Sequence, residues 1–242
     1  MVSIFVMSKL PASALKQLPK LKMIAARSTG FDHIDLKYCK KKKIIVCNVP
    51  AYGEVTVAEH AFALILAITR KLQEAILQGT KKKFDQQPLK GNDLHGKTIG
   101  IIGAGKIGKN VIRIAHGLGM EILAYDIYKD RLLSEILDFQ YTDMKTLLKK
   151  SDIITLHAPY NKSTHHLINK KNIKFFKKGS ILINTARGGL IETNTLLQAL
   201  TNKTLSAAGL DVLEEENLII KKTKATAKQK TILEKNKKII SL

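Results

Sequence analysis

Short apolar runs alternate with helical stretches along most of the chain, and from position 97 the alternation is regular. "TIGIIG" reads as a strand, and "KIGKNVIRIAHGLG" as a helix that ends at a glycine C-cap. "EILAYD" is the next strand, followed by "DMKTLLKKS" as a helix, "DIITLHAP" as a strand and "KNIKFFKKG" as a short helix. "SILINTA", "TNTLLQALTN" and "SAAGLDV" complete the series as strand, helix and strand. Repeated strand–helix winding of this kind predicts an α/β fold with a mostly parallel, doubly wound sheet. Upstream, residues 2–6, 22–26 and 44–47 read as strands. A long helix is expected from about Thr56, where Thr56 and Glu59 form a T-x-x-E capping box. Its body is apolar nearly all round between Ala61 and Ile68, so burial on several sides is expected, in a core or against a second subunit. The polar segment 79–96, which contains Pro88, looks like a connection between domains, and no internal repeat is found.

Composition narrows this picture. A chain of 242 residues suits one large or two small domains, and 45% hydrophobic content is ample for their cores. No window of 18 or more residues is uninterruptedly apolar, so no membrane span is expected. The opening "MVSIFVMSKL" has no basic region ahead of its apolar run and is not read as a signal peptide. Cys39 and Cys47 are too few for a disulfide framework or a cysteine-only zinc site, and a cytoplasmic location is the simplest expectation. The net charge of +21 raises the question of nucleic acid. The lysines fall in short runs such as 40–43 and 81–83, beside apolar segments, as solvated helix ends and turns do. They have no interleaved aromatics and no zinc-finger spacing, so nucleic acid is not the expected partner.

Three motifs carry chemistry. In "GAGKIG", Gly103, Gly105 and Gly108 bracket Lys106 and Ile107 between a strand and a helix, and the following strand ends in Asp126. That context reads as a dinucleotide fingerprint. Gly103 makes the tight turn, Gly105 lets backbone approach a pyrophosphate, and Gly108 lets helix and strand pack. The helix start offers its amides to the phosphates. Asp126 would accept the adenosine ribose hydroxyls and repel a 2′-phosphate, which favours NAD, although Lys129 and Arg131 lie close in sequence. In "INTARGGLIE", Arg187 follows an apolar strand at the end where ligands bind in open α/β sheets, and its planar fork matches a carboxylate. In "LDVLEEE", Asp211 ends another strand, and two of Glu214, Glu215 and Glu216 are expected to form a solvated turn.

With "STGFDHID" at 28–35, "NVPAYGEVTVAEH" at 48–60 and "SDIITLHAP" at 151–159, these stretches make the chain resemble the D-isomer-specific 2-hydroxyacid dehydrogenases, the D-lactate dehydrogenase-like group, over nearly its whole length. The resemblance implies a Rossmann-like NAD domain over 89–242 and an incomplete flavodoxin-like substrate domain over 1–88, with the active site in a cleft between them. It implies an NAD-dependent oxidoreductase that interconverts a small D-2-hydroxy acid and its 2-keto acid, acting as a homodimer paired through the helix near Thr56. Arg187 would grip the substrate carboxylate and polarise the keto oxygen. Glu216 would orient the catalytic histidine and raise its pKa. Thr29 and Gly30 would bind the carboxylate through backbone, flanked by Tyr52. Asp211 would sit by the nicotinamide, and Pro159, Thr164, Thr185 and Ala186 would line the cofactor.

The chain also departs from the family. The family's acid–base histidine follows a proline just after a strand that "NKKIIS" resembles here, and no Pro-His follows Glu216. His157 matches a different family position, and His165 and His166 are expected on a polar loop. The expectation is a dehydrogenase shortened at both ends of its substrate domain. The alternative is an inactive NAD(H)-binding sensor or scaffold of the same fold.

Overall fold

The computed structural model describes residues 1–5, 8–81, 85, 87–216 and 227–240. It divides into two compact units, Met1–Glu54 and Val55–Leu242.

The first unit contains β1 (Val2–Ile4), α1 (Ala12–Lys16), β2 (Met23–Ala26), α2 (Leu36–Lys41) and β3 (Ile45–Cys47). The strands form a parallel sheet in the order β1-β2-β3, with Ile24 opposite both Val2 and Val46. Its core is Ile4, Leu15, Ile24, Ala26, Ile34, Cys39 and Ile44. Asp35 caps α2 by accepting the Tyr38 amide at 2.9 Å, which fixes where the chain re-enters helix. Val6, the end of the first expected strand, lies outside the described residues.

In the second unit, α3 runs from Glu54 to Thr69. It begins two residues before the expected start. Glu54 occupies the first turn, where its charge meets the helix dipole, and Thr56 is already helical. The T-x-x-E box is therefore not the cap. The helix buries Ala58, Ala61, Phe62, Ile65 and Thr69, a stripe at helical spacing, while Val55 and Leu66 remain exposed. Within one chain the burial covers one face and its flanks. That face shares a cluster with Ile99, Ile101, Val111 and Ile112, and the compact division falls after Glu54. After α4 (Leu72–Thr80), the described residues of the polar connection include a 3-10 turn, Gln87–Leu89.

The remaining elements are β4 (Thr98–Ile102), α5 (Lys106–Gly117), β5 (Glu121–Tyr125), α6 (Arg131–Ile136), β6 (Gln140–Tyr141), α7 (Met144–Lys150), β7 (Ile153–Leu156), β8 (Ser180–Asn184), α8 (Thr193–Thr201), β9 (Leu205–Leu210) and α9 (Ala227–Ile240). All six strands are parallel, in the order β6-β5-β4-β7-β8-β9. All of β7 is buried, as a strand covered by helices on both faces must be. Gly119, at φ +67, closes α5 as expected. The short helix expected at "KNIKFFKKG" is a 3-10 turn, Ile173–Phe175.

One expected strand is helix. "NKKII" forms the last turns of α9, and Ser241 lies outside the described residues. Ile232, Asn236 and Ile239 fall at i, i+4 and i+7; Asn236 and Ile239 are buried and Ile232 is half-buried. This face lies against α8. No described helix is long and apolar enough to cross a membrane.

Candidate active site

The strand order reverses between β4 and β7, so the crevice at their carboxyl ends is where this architecture takes a ligand. Gly103 makes the turn out of β4 at φ +100, and a Cβ there would lie 2.6 Å from the His157 carbonyl carbon. A Cβ on Gly108 would come within 2.1 Å of the Gly103 oxygen, so the helix rests directly on the turn. A Cβ on Gly105 would meet nothing within 4 Å. No packing among the described residues requires that glycine, and its bareness leaves room before the helix. Gly105 N-caps α5 without any side-chain cap. The first turn, from Lys106 through Ile107 and Gly108, thus presents amides that helix geometry leaves without i−4 partners.

Asp126 comes directly after β5. Its Oδ2 accepts the Ala104 amide at 2.7 Å and its Oδ1 accepts the Tyr128 amide at 3.0 Å. The carboxylate is half-buried beside the glycine turn. The nearby Lys109 is engaged elsewhere, its Nζ 3.5 Å from Asp130.

His157 leaves β7 on the other wall. Its Nε2 lies 2.9 Å from the Thr155 hydroxyl, and its Nδ1 is buried without a hydrogen-bond partner among the described residues. Burial pushes its pKa down to about 4, so the ring is neutral at pH 7. Beyond it, Thr164 donates its hydroxyl to the Pro159 oxygen at 2.6 Å and accepts the Asn161 amide at 2.9 Å, shaping a turn at the crevice mouth.

At the end of β8, Asn184 is buried and organises the turn that leads to Arg187. Its Nδ2 donates to the Arg187 oxygen at 3.0 Å and its Oδ1 accepts the Ala186 amide at 3.1 Å. Thr185 is 8% exposed, and its Oγ1 is buried without a partner among the described residues. Arg187 is half-buried, with one guanidinium nitrogen donating to the Ala186 oxygen at 2.8 Å. The two glycines after it have separate duties: a Cβ on Gly188 would strike Leu213 at 2.0 Å, and one on Gly189 would strike the Tyr160 ring at 2.7 Å. Asp211 continues β9, its amide donating to the Asn184 oxygen at 3.0 Å, and its carboxylate lies 3.4 Å from His60 Nε2. The unpartnered Thr185 hydroxyl and His157 nitrogen, the bare Gly105 and the Asp126 carboxylate fit a dinucleotide across this crevice.

The glutamate turn differs from expectation. Glu214 is only 13% exposed; its Oε1 lies 2.8 Å from His166 Nε2, and its Oε2 accepts the Thr193 hydroxyl at 2.6 Å. Glu215 sits at φ +59, with Gln229 donating to it at 3.3 Å. A solvated turn for these two is therefore corrected: the His166 loop, α8 and α9 bring partners to them from other parts of the chain. Glu216 Oε2 accepts the Leu213 amide at 3.0 Å. His165 and His166 do lie on a loop, but His166 is engaged there, and only proximity in the fold reveals it.

In the first unit, Ser28 donates its hydroxyl to the Gly30 oxygen at 2.7 Å and Asn48 donates to the Thr29 oxygen at 2.9 Å, fixing the turn that holds Thr29 and Gly30. Tyr52 is exposed.

Residues 62–239 match the family model described as D-isomer specific 2-hydroxyacid dehydrogenase, NAD binding domain. The chain is 41% identical over 218 residues to a glyoxylate reductase of Thermococcus litoralis, covering 87% of this chain and 66% of that protein. It is 38% identical over 223 residues to a D-lactate dehydrogenase of Curvularia clavata, covering 91% and 64%. Among solved structures it is similar to the D-lactate dehydrogenase of Aquifex aeolicus complexed with NAD and lactic acid, with a TM-score of 0.89, 43% identity, and coverage of 96% of this chain and 72% of that one. The chain spans about two thirds of the length of these curated relatives. Six parallel strands in dinucleotide-binding order, a glycine turn answered by Asp126, and a family model matched across that whole sheet place this chain in the D-isomer-specific 2-hydroxyacid dehydrogenase family.

Proposed function

We propose that this chain works as an NAD-dependent oxidoreductase on a small D-2-hydroxy acid and its 2-oxo acid. One observation carries the reading: Arg187 leaves β8 beside the unpartnered Thr185 hydroxyl, on the sheet whose glycine turn and Asp126 fit the cofactor. NAD supplies the hydride acceptor or, reduced, the hydride. The first turn of α5 would hold the phosphates and Asp126 the ribose, Asp211 would sit by the nicotinamide, and Pro159, Thr164, Thr185 and Ala186 would line the cofactor. Arg187 grips the substrate carboxylate and stabilises negative charge on the C2 oxygen. It stays protonated throughout and cannot be the acid. Thr29 and Gly30, through their backbone, and Tyr52 are assigned to substrate binding, within a substrate domain assigned over 1–88. The relatives' names, a glyoxylate reductase, a D-lactate dehydrogenase and a hydroxypyruvate reductase, point to short 2-oxo acids.

We assign a homodimer as the working form. Val55 and Leu66 on α3, with Leu72, Ile76 and Leu77 on α4, expose more apolar surface than two solvated helices need. Cys39 and Cys47 are free thiols, which suits a cytoplasmic protein.

A second reading is an NAD(H)-binding sensor or scaffold, for which the observation is that the Glu216 side chain accepts the Leu213 amide of its own turn. The test is NADH titration by fluorescence, followed by NADH oxidation with pyruvate, glyoxylate and hydroxypyruvate. Binding with turnover supports the enzyme. Binding without turnover supports the sensor, and no binding overturns both.

A further inference from the structure

The turn that follows Arg187 and the loop that carries Glu216 are tied together by His166, whose amide bonds the Gly189 oxygen and whose ring meets the side chain of Glu214. A carboxylate that is 13% exposed must be paired and hydrogen-bonded to be tolerated. Here His166 Nε2 lies 2.8 Å from one oxygen and the Thr193 hydroxyl 2.6 Å from the other. The backbone oxygen of Glu214 accepts the buried Asn236 side chain at 2.8 Å, which pins the loop from its other side.

His166 is itself held. Its amide donates to the Gly189 oxygen at 2.9 Å, its own oxygen accepts Asn169 Nδ2 at 2.8 Å, and its ring stacks on His165 with centroids 3.8 Å apart. It adopts φ +51, a left-handed conformation that a non-glycine residue takes at a cost and keeps only where its surroundings impose it. Gly188 and Leu213 touch so closely that no Cβ fits between them, so a shift of the loop passes directly to the residue after Arg187.

We infer that His166 and Glu214 are positioning residues for Arg187. They clamp the 213–216 loop onto the 188–190 turn and thereby set where the guanidinium reaches. The role rests on the reading of Arg187 as the carboxylate grip. It predicts an effect on substrate that a general loss of stability would not give, since the phosphate and ribose side of the cofactor site, at Gly103 and Asp126, follows different strands.

The test uses the full chain with His166→Ala and His166→Gln. NADH affinity is read by fluorescence, and steady-state NADH oxidation is read against pyruvate. His166→Ala should leave the NADH Kd within about twofold and raise the KM for pyruvate about tenfold, with a smaller change in kcat, as expected from losing a charge-assisted hydrogen bond. His166→Gln, whose amide can still donate to Glu214, should recover most of the loss. Amide hydrogen exchange supplies a readout that needs no turnover. In His166→Ala, residues 188–193 and 213–216 should exchange at least about tenfold faster, while β4 and β7 keep wild-type rates. Unchanged exchange in both segments overturns the clamp, as does acceleration spread evenly through β4 and β7. A KM that rises only in step with the NADH Kd overturns the positioning role. If wild type binds NADH but neither binds nor reduces pyruvate, the grip assigned to Arg187 fails and its positioning with it, whereas local acceleration alone still establishes the clamp.

Discussion

Asp126 is bonded to the turn it faces: its Oδ2 accepts the backbone amide of Ala104 at 2.7 Å. The carboxylate that would read the ribose is thus part of the loop that would hold the phosphates. A 2′-phosphate would meet a fixed negative charge that Lys109 does not neutralise, because Lys109 is drawn to Asp130. NADH should therefore bind at least about tenfold more tightly than NADPH, a difference of about 1.4 kcal/mol. Asp126→Ala should narrow that ratio toward unity, and Asp126→Asn should do so with less damage to the turn. Fluorescence titration with both cofactors checks this, and equal wild-type affinities would remove the ribose role from Asp126.

Arg187→Lys tests the anion grip. A lysine keeps the charge but loses the planar fork that gives two parallel hydrogen bonds. The expected outcome is a KM for pyruvate raised about tenfold or more, with the NADH Kd unchanged. An unchanged KM would mean that the carboxylate is held elsewhere. A joint loss of NADH binding would mean that Arg187 supports the fold of the crevice.

These two side chains differ in how they could be read. Asp126 and the glycines were legible because the fingerprint lies in one short stretch and the acid closes the very next strand. The six-stranded sheet was legible wherever a strand is buried on both faces, as in β7. Legibility failed where local signal was weak or the partner distant. The two-residue β6 and the α6 helix, which buries nothing, leave no periodicity to read. The helical face of α9 is made of Ile232, Asn236 and Ile239, and its paired isoleucines mimic a strand ending. Glu214 reads as one of two solvated acids because His166 is 48 positions away.

The exposed apolar residues of α3 and α4 give a third prediction. Ile76 is 66% exposed and Leu77 49%, on a helix with no buried residue. If the pair is covered in a dimer, Ile76→Asp combined with Leu77→Asp should shift sedimentation at micromolar concentration from dimer to monomer. Folding of the second unit, followed by far-ultraviolet dichroism, should be little changed, because these side chains contribute nothing to the core of one chain. A wild-type monomer under the same conditions would remove the assignment.

The last prediction concerns His157. Its folded pKa is lowered to about 4 by burial, against the ordinary value of 6.5. Between these values the unfolded chain binds a proton that the folded chain does not, so stability rises with pH across that window. Toward lower pH, the contribution is complete above about pH 6.5 and is lost by about pH 4, where both states are protonated. The difference corresponds to roughly 3 kcal/mol. Asp143, Asp152 and Glu192 also have lowered pKa values: hydrogen bonding from Thr146 comes first for Asp143, and Thr195 does the same for Glu192. For Asp152, burial opposes the shift, and hydrogen bonds from Lys177 and Thr98 with nearby lysines outweigh it. These carboxylates lose their contribution mainly below about pH 4.5, so wild type alone cannot isolate the histidine. His157→Gln can, because an amide can still meet the Thr155 hydroxyl and does not titrate. Urea unfolding at about pH 7 and about pH 4.8 should show wild type losing more stability than His157→Gln, by about 2 kcal/mol. Equal losses would mean that the ring is solvated and protonated in the folded protein, and that the crevice wall between Gly103 and His157 is open to water.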